Sequence, residues 1–302
     1  MRKYGVPYKG AKQAIADKIV DTLPPADALV DLFAGGCSIT HCALLSGKYK
    51  QIIANDINPA GMDLFCRAIA GEYTHESDWI SREDFYARKD TDPYISLCWS
   101  FGNNERDYLY GRKIEPFKKA LHHAIFFEDY TLLEELGIRE RLIGDTVQER
   151  YLSWRAIAKR LFPNAGTGPE NVQSLQNLKR LRDLQKIPSQ LESLQRLQNL
   201  QNLQNLQYYC LPYQSVPIPD DAVIYCDPPY AQTNGYSKIS KDIETLNYEE
   251  FYRFCERHKG RIYISEYSMP EDRFECIASF DKQQNMAAKT SKVVKENLYV
   301  PK

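Results

Sequence analysis

Between residues 13 and 70 the chain alternates helix-like and strand-like stretches in a fixed order. "QAIADKIVDTL" at 13–23 reads as an amphipathic helix stopped by Pro24-Pro25. "ALVDLFAGG" is an apolar strand ending in glycines, and "CSITHCALLSG" is a helix with a glycine stop at Gly47. "YKQIIANDIN" is a second strand ending in an acid, Asp56, and "PAGMDLFCRAIAG" is the next helix. This βαβ alternation predicts an α/β fold with a parallel sheet. It breaks near residue 90 and resumes at "AVIYCDPPY", followed by a helix "YEEFYRFCERHKG", a strand "RIYISEY", then "FECIASF" and a last strand near "KENLYV". The core is therefore split in sequence, 1–90 with 208–302, around an insert at 91–207 that carries aromatic loops, charged helical stretches and a repeat.

A chain of 302 residues suits one large domain, or a domain plus an insert. The mean hydropathy of −0.52, with no apolar run approaching ~18 residues, predicts no membrane span. The opening "MRKYGVPYKGAKQ" lacks an apolar segment, so no signal peptide is expected. None of the eight cysteines forms a C-x-x-C pair and histidines number five, so no metal site is expected and free thiols in a reducing cytoplasm are.

The net charge of −1 gives no general attraction to nucleic acid. The segment 150–186 differs: Arg150, Arg155, Lys159, Arg160, Lys179, Arg180, Arg182 and Lys186 stand against Glu170 and Asp183, a local charge of +6. Such clustering marks either a phosphate footprint or a solvated helix face. Beside it, "LQNLKRLRDLQ" and "LESLQRLQNLQNLQNLQ" place leucine every third residue. That period fits neither 3.6 nor 2. Short 3₁₀ or helical pieces, a partly disordered arm, a turn-by-turn stack or a tolerated low-complexity expansion in a linker all satisfy it.

The chemistry concentrates at strand ends. "DLFAGG", Asp31–Gly36, lets the backbone turn tightly after a strand, although G-x-G-x-x-G is missing and a dinucleotide is disfavoured. Asp56 ends the next strand, where an acid can reach the ribose hydroxyls of a nucleoside or cap a helix. "VIYCDPPYAQ" is the most specific stretch. Asp227, Pro228, Pro229 and Tyr230 cannot continue a strand, so they form a rigid polar corner at its carboxyl end. The Asp227 carboxylate and the Pro228 carbonyl can take the two hydrogens of an exocyclic amine, which frees the nitrogen lone pair for an electrophile. Tyr230 offers a face on which a base can stack.

With these motifs the chain resembles the Dam-type DNA adenine N6-methyltransferases of bacteria and their phages. The resemblance covers 4–90 and 208–302 through "YGVPYKGAK", "DLFAGGCS", "NDIN", "DPPY" and "ISEYSMP", in the order of the alpha class. Gly36-Cys37 departs from that family's usual final glycine spacing. The insert matches only loosely, through "SFGNNERDY". The resemblance implies a Rossmann-like methyltransferase sheet with a mainly helical target-recognition insert. It implies S-adenosylmethionine held by Tyr8, Lys12, Phe33, Asp56 and Asp227, with Asp31, Ala34 and Gly35 of the same glycine turn. It also implies a flipped adenine of double-stranded DNA at Asp227–Tyr230. Arg155, Lys159, Arg160 and Tyr236 are the candidate DNA contacts.

The alternatives are N4-cytosine or RNA amino-methylation, or a DNA-binding remnant without catalysis. C5-cytosine methylation is set aside because no Pro-Cys dipeptide occurs. The expected location is the cytoplasm, in a bacterium or a phage-infected cell.

Overall fold

The computed structural model describes residues 4–161, 186–200, 203–229, 246–286 and 290–302. The chain forms two compact units, Met1–Gly71 with Arg196–Lys302, and Glu72–Gln195. In chain order the first unit opens with α1 (Ala16–Thr22), β1 (Ala28–Asp31), α2 (Ser38–Ser46), β2 (Gln51–Asn55) and α3 (Pro59–Ile69). The second unit contributes α4 (Arg82–Arg88), α5 (Pro93–Cys98), α6 (Glu115–Phe127), α7 (Thr131–Glu135), α8 (Val147–Leu161) and α9 (Lys186–Gln195). The first unit resumes with β3 (Leu206–Tyr209), β4 (Val223–Cys226), α10 (Tyr248–Arg257), β5 (Ile262–Glu266), β6 (Phe274–Met286) and β7 (Thr290–Pro301).

These strands form a seven-stranded sheet in the order β3-β2-β1-β4-β5-β7-β6. The five from β3 to β5 are parallel, while β7 returns antiparallel beside β5 and pairs antiparallel with β6. Every residue of β1 and β4 is buried, as strands covered on both faces require. Val30, Leu32, Ile224, Cys226, Phe251, Phe254, Ile262 and Ile264 form the core between these strands and α10. Each large side chain buried there contributes about 1.5–3 kcal/mol. The strand order reverses between β1 and β4, with Asp31 in register with Tyr225, two residues before Asp227. In a doubly wound sheet the crevice for a ligand opens at that reversal, outside the strands' carboxyl ends. The expected Rossmann-like α/β sheet is present.

Strand β3 has no counterpart in the sequence reading, which assigned residues up to 207 to the insert. It is an edge strand, "LQYY", in which no residue is fully buried, so it carries no alternation to read.

The second unit is mainly helical. Leu121, Ala124, Ile125, Leu133, Ile138 and Trp154 form its core between α6, α7 and α8. The described part of the leucine repeat is packing material. Leu191 and Leu194 of α9 are buried in this unit, and Leu197 and Leu200 are buried in the first. Around Leu197 the backbone is a 3₁₀ helix, Arg196–Asn199, whose three residues per turn suit a leucine at every third position. For these residues a tolerated linker is the wrong description. The rest of the repeat, including residues 171–185, lies outside the described residues.

Candidate active site

The site is built on the carboxyl edge of the sheet in the first unit. Its amino-terminal wall is the segment 4–12, tied to the glycine turn by backbone bonds. Val6 N–H donates to Gly36 O at 2.8 Å, and Gly5 N–H donates to His41 Nδ1 at 2.9 Å. Burial lowers the His41 pKa to about 4, so its ring is neutral and can accept that bond. Gly5 sits at φ +69, and a Cβ there would lie 2.1 Å from Gly36 O. Only glycine permits so close an approach, and the approach sets Tyr8 against the turn. The Tyr8 ring lies where a Gly35 Cβ would be, at 2.9 Å, and its hydroxyl lies 3.4 Å from Asn58 Nδ2. Cys37 has the left-handed backbone that glycine adopts freely, φ 57.

Two acids end the neighbouring strands. The half-buried Asp56 accepts Gly35 N–H at 2.8 Å on Oδ2 and Asn58 N–H at 2.9 Å on Oδ1. Burial raises its pKa to about 6; those two N–H groups work against the rise, and the Asp227 charge adds to it. Asn55, one residue earlier, donates to Leu32 O at 3.1 Å and Leu211 O at 3.0 Å, and accepts Leu211 N–H at 3.0 Å. It locks the strand end from which Asp56 emerges. The reading of "NDIN" singled out the acid and missed this buried amide.

Asp31 is buried at the end of β1. Its Oδ2 accepts the Thr40 hydroxyl at 2.7 Å and the Thr40 N–H at 3.2 Å. Its Oδ1 has no hydrogen-bond partner among the described residues. Burial is the main cause raising its pKa to about 7; the Thr40 hydroxyl opposes the rise and the Asp227 charge adds to it. Ala34 is buried and its N–H donates to Asn55 O at 2.8 Å. Phe33 turns toward the core, with ring centroids 5.6 Å from Tyr213 and 5.7 Å from Phe251.

Asp227 follows β4, and its Oδ2 accepts from Lys12 Nζ at 2.5 Å. Lys12 is buried at 3% exposure, and its ammonium also lies 3.6 Å from Oε1 of Glu296, a fully buried acid on β7. Sequence reading missed Glu296, because an acid inside "KENLYV" looks like any strand-edge charge. Pro228 is buried, and the Pro229 carbonyl accepts the hydroxyl of Tyr248, the first residue of α10. Tyr248 thus pins the proline corner, a second role not visible in the sequence. Tyr230 and Tyr236 lie outside the described residues.

Tyr8, Lys12, Asp31, Gly35, Asp56 and Asp227 therefore gather at one edge, where the buried Lys12 ammonium lies between Asp227 and Glu296. The residues also fit a bound nucleoside sulfonium. Asp31 Oδ1 is a buried acceptor lacking a donor, and Asp56 keeps acceptor capacity beyond its two backbone bonds. Among the described residues no group of His, Cys, Asp and Glu could hold a metal ion. No helix there is long and apolar enough to cross a membrane.

In the second unit, Arg155 and Arg160 are exposed on α8. Lys159 lies on the same helix, and its side chain falls outside the description. Arg150, counted in the basic segment, is not part of any exposed patch. It is buried at 5% exposure, donates to Ile125 O at 2.7 Å and pairs with Glu128 at 3.0 Å.

Residues 8–154 match the family model described as D12 class N6 adenine-specific DNA methyltransferase. The matched stretch contains Tyr8, Lys12, Asp31, Phe33, Gly35 and Asp56, and Asp227 lies beyond it. No curated protein matches the chain. Among solved structures, the rRNA methyltransferase aviRa from Streptomyces viridochromogenes is similar at 13% identity and a TM-score of 0.34, over 95% of this chain and 82% of that one. The fold stands on the strand order and register described above. The match over residues 8–154 agrees with the resemblance to the Dam-type adenine N6-methyltransferases, a family of enzymes, that the motifs carry.

Proposed function

We propose that the chain moves a methyl group from S-adenosylmethionine to N6 of an adenine flipped out of double-stranded DNA, at a specific sequence. The observation that carries this reading is the Lys12–Asp227 pair at the β1/β4 reversal, beside the half-buried Asp56 and the buried Asp31. Asp56 would accept the ribose hydroxyls of the cofactor, Asp31 its amino group, and Tyr8, Phe33, Ala34 and Gly35 would line its adenosine. When bound, the cofactor supplies a methyl group on a positively charged sulfur.

Target adenine must leave the stack, because in a base pair its N6 is not accessible. Asp227 and the Pro228 carbonyl would then accept the two N6 hydrogens and turn the nitrogen lone pair toward the methyl group. Tyr230 is given the stacking role from its position directly after the two prolines. Asp227 and Pro228 would hold N6 in line with the methyl group that the bound cofactor would supply, and Asp227 would pass the displaced N6 proton to water. Positioning and exclusion of water supply most of the rate. Tyr248 contributes by holding the Pro229 carbonyl, and hence the corner, in place.

The core 1–90 with 208–302 is assigned catalysis, in the cytoplasm, and the insert 91–207 is assigned target recognition. Arg155, Lys159 and Arg160 would contact phosphates, and Tyr236 the flipped base or the backbone. Single-molecule sequencing of genomic DNA from a methylation-free host expressing the chain, or its Asp227→Ala variant, tests the reading. N6-methyladenine at one short motif, absent with the variant, is the expected result. N4-methylcytosine, or methylation that survives Asp227→Ala, would overturn it.

A further inference from the structure

Glu296 occupies a place that the motifs do not account for. On β7 it pairs in register with Phe280 and directly precedes Asn297, the first β7 residue in register with β5, at Glu266. It is therefore the first residue of β7 past the carboxyl end of β5, on the edge where Asp31, Asp56 and Asp227 lie. Its side chain is fully buried, and Lys12 Nζ lies 3.6 Å from Oε1. The same Nζ is 2.5 Å from Asp227 Oδ2, and the Lys12 side chain is 4% exposed against 18% for Asp227. One buried ammonium thus serves two carboxylates, one after β4 and one on β7, strands that flank β5 in the sheet. An ionised carboxylate removed from water is costly unless paired, so a fully buried acid that does nothing more than fill space would be a poor choice here.

The consequence follows from counting charge. Asp227 has to accept a hydrogen from a neutral aromatic amine, and its strength as an acceptor depends on the negative charge it keeps. Were Lys12 its partner alone, the ion pair would be neutral and the amine would compete with an ammonium for the same oxygens. With Glu296 drawing on the same ammonium, the three groups carry one net negative charge. That charge also favours the positive charge that passes from sulfur to N6 during transfer. We propose that Glu296 is a positioning residue for the methyl transfer, acting through Lys12: its charge shares the ammonium, so that Asp227, although in close contact with Nζ, keeps the strength of an acceptor. This rests on the reading of Asp227 as the group that holds N6.

The test is a double-mutant cycle on purified full-length protein with duplex DNA carrying the motif found by sequencing. Glu296→Gln keeps the shape and removes the charge. It should lower kcat by roughly ten- to hundredfold, less than loss of a group in direct contact would, because its effect is relayed. Binding of S-adenosylmethionine, measured by calorimetry, should stay within about threefold, since Glu296 is assigned to the amine side. In a Lys12→Met background, Glu296→Gln should cause no further loss in kcat, because the group it acts through is gone. Glu296→Asp, which keeps the charge, should recover most of kcat. The proposal is overturned if Glu296→Gln leaves kcat unchanged, if its loss is fully additive with Lys12→Met, or if Glu296→Asp is as impaired as Glu296→Gln. A wild-type protein that methylates no adenine would sink the underlying reading, whereas an active wild type with an active Glu296→Gln variant sinks this inference alone.

Discussion

The Lys12 ammonium and the Asp227 carboxylate lie 2.5 Å apart although 215 residues separate them in the chain. The pair joins the two sequence halves of the split core at the place where chemistry is expected. Its partners are not equivalent. Removing the cation takes from Asp227 and the buried Glu296 the ammonium they share, whereas removing the Asp227 charge leaves Lys12 beside Glu296.

Substitutions should therefore be asymmetric. Lys12→Met should cost about 3–5 kcal/mol in chemical denaturation, the usual result of removing one member of a buried ion pair. Asp227→Asn should cost about 1 kcal/mol, the scale of a single net hydrogen bond, because Lys12 retains an anion. Methylation should fall at least about a hundredfold in Asp227→Asn while the fold persists, as removal of an electrostatic contact to the reacting group does. Equal destabilisation by the two changes would contradict the arrangement.

Asp31 gives the protein a stability term with a defined sign. Burial raises its pKa from 3.8 to about 7, so between those values the folded protein holds a proton that the unfolded chain has released. Folding is favoured below that window and loses stability as pH rises through it. Asp31→Asn cannot titrate. Its stability relative to the parent should rise by up to about 1.4 kcal/mol per pH unit from pH 4 to 7 and level off above. Denaturation curves at pH 5, 6, 7 and 8 read the slope, and a constant difference would show that Asp31 is ionised throughout.

Much of the fold was legible because strands β1, β2, β4 and β5 are short apolar runs that stop at a glycine, an acid or a proline. Those stops also line the candidate site, which explains why Asp31, Asp56 and Asp227 could be picked out together. Leu206–Tyr209 was not legible: an edge strand without a fully buried residue has no period-two contrast. Glu296 and Tyr248 were missed for a different reason. Their roles come from where β7 returns beside β5 and where α10 begins, and no local pattern encodes either. Arg150 misled because a buried, carbonyl-bound arginine and an exposed one look alike in a charged helix.

Gly5 and Gly47 separate two costs that sequence cannot distinguish. Both have left-handed backbones, with φ +69 and φ +64, but a Cβ on Gly5 would lie 2.1 Å from Gly36 O and a Cβ on Gly47 meets nothing within 4 Å. Gly47→Ala should cost about 1–2 kcal/mol for backbone strain alone. Gly5→Ala should cost more and should also weaken cofactor binding, because Tyr8, which lies against the Gly35 turn, follows on the segment that must shift. Thermal melting and calorimetric titration of the two variants check this. Similar losses in both would show that the amino-terminal segment moves freely.

The arginines of α8 divide in the same way between structure and surface. Arg150 is buried and bonded to Ile125 O, Glu128, Gly144 O and Asp145 O, so Arg150→Ala should destabilise the protein by about 2–4 kcal/mol. Arg155 and Arg160 are exposed, and truncating either should change stability by less than about 0.5 kcal/mol. If they meet phosphates, Arg155→Ala and Arg160→Ala should each weaken binding to a duplex uniformly across sequences. Each should also lower the slope of log affinity against log salt by about one. Fluorescence anisotropy at several salt concentrations reads both quantities. An unchanged slope in the double variant would move the DNA-binding surface off α8.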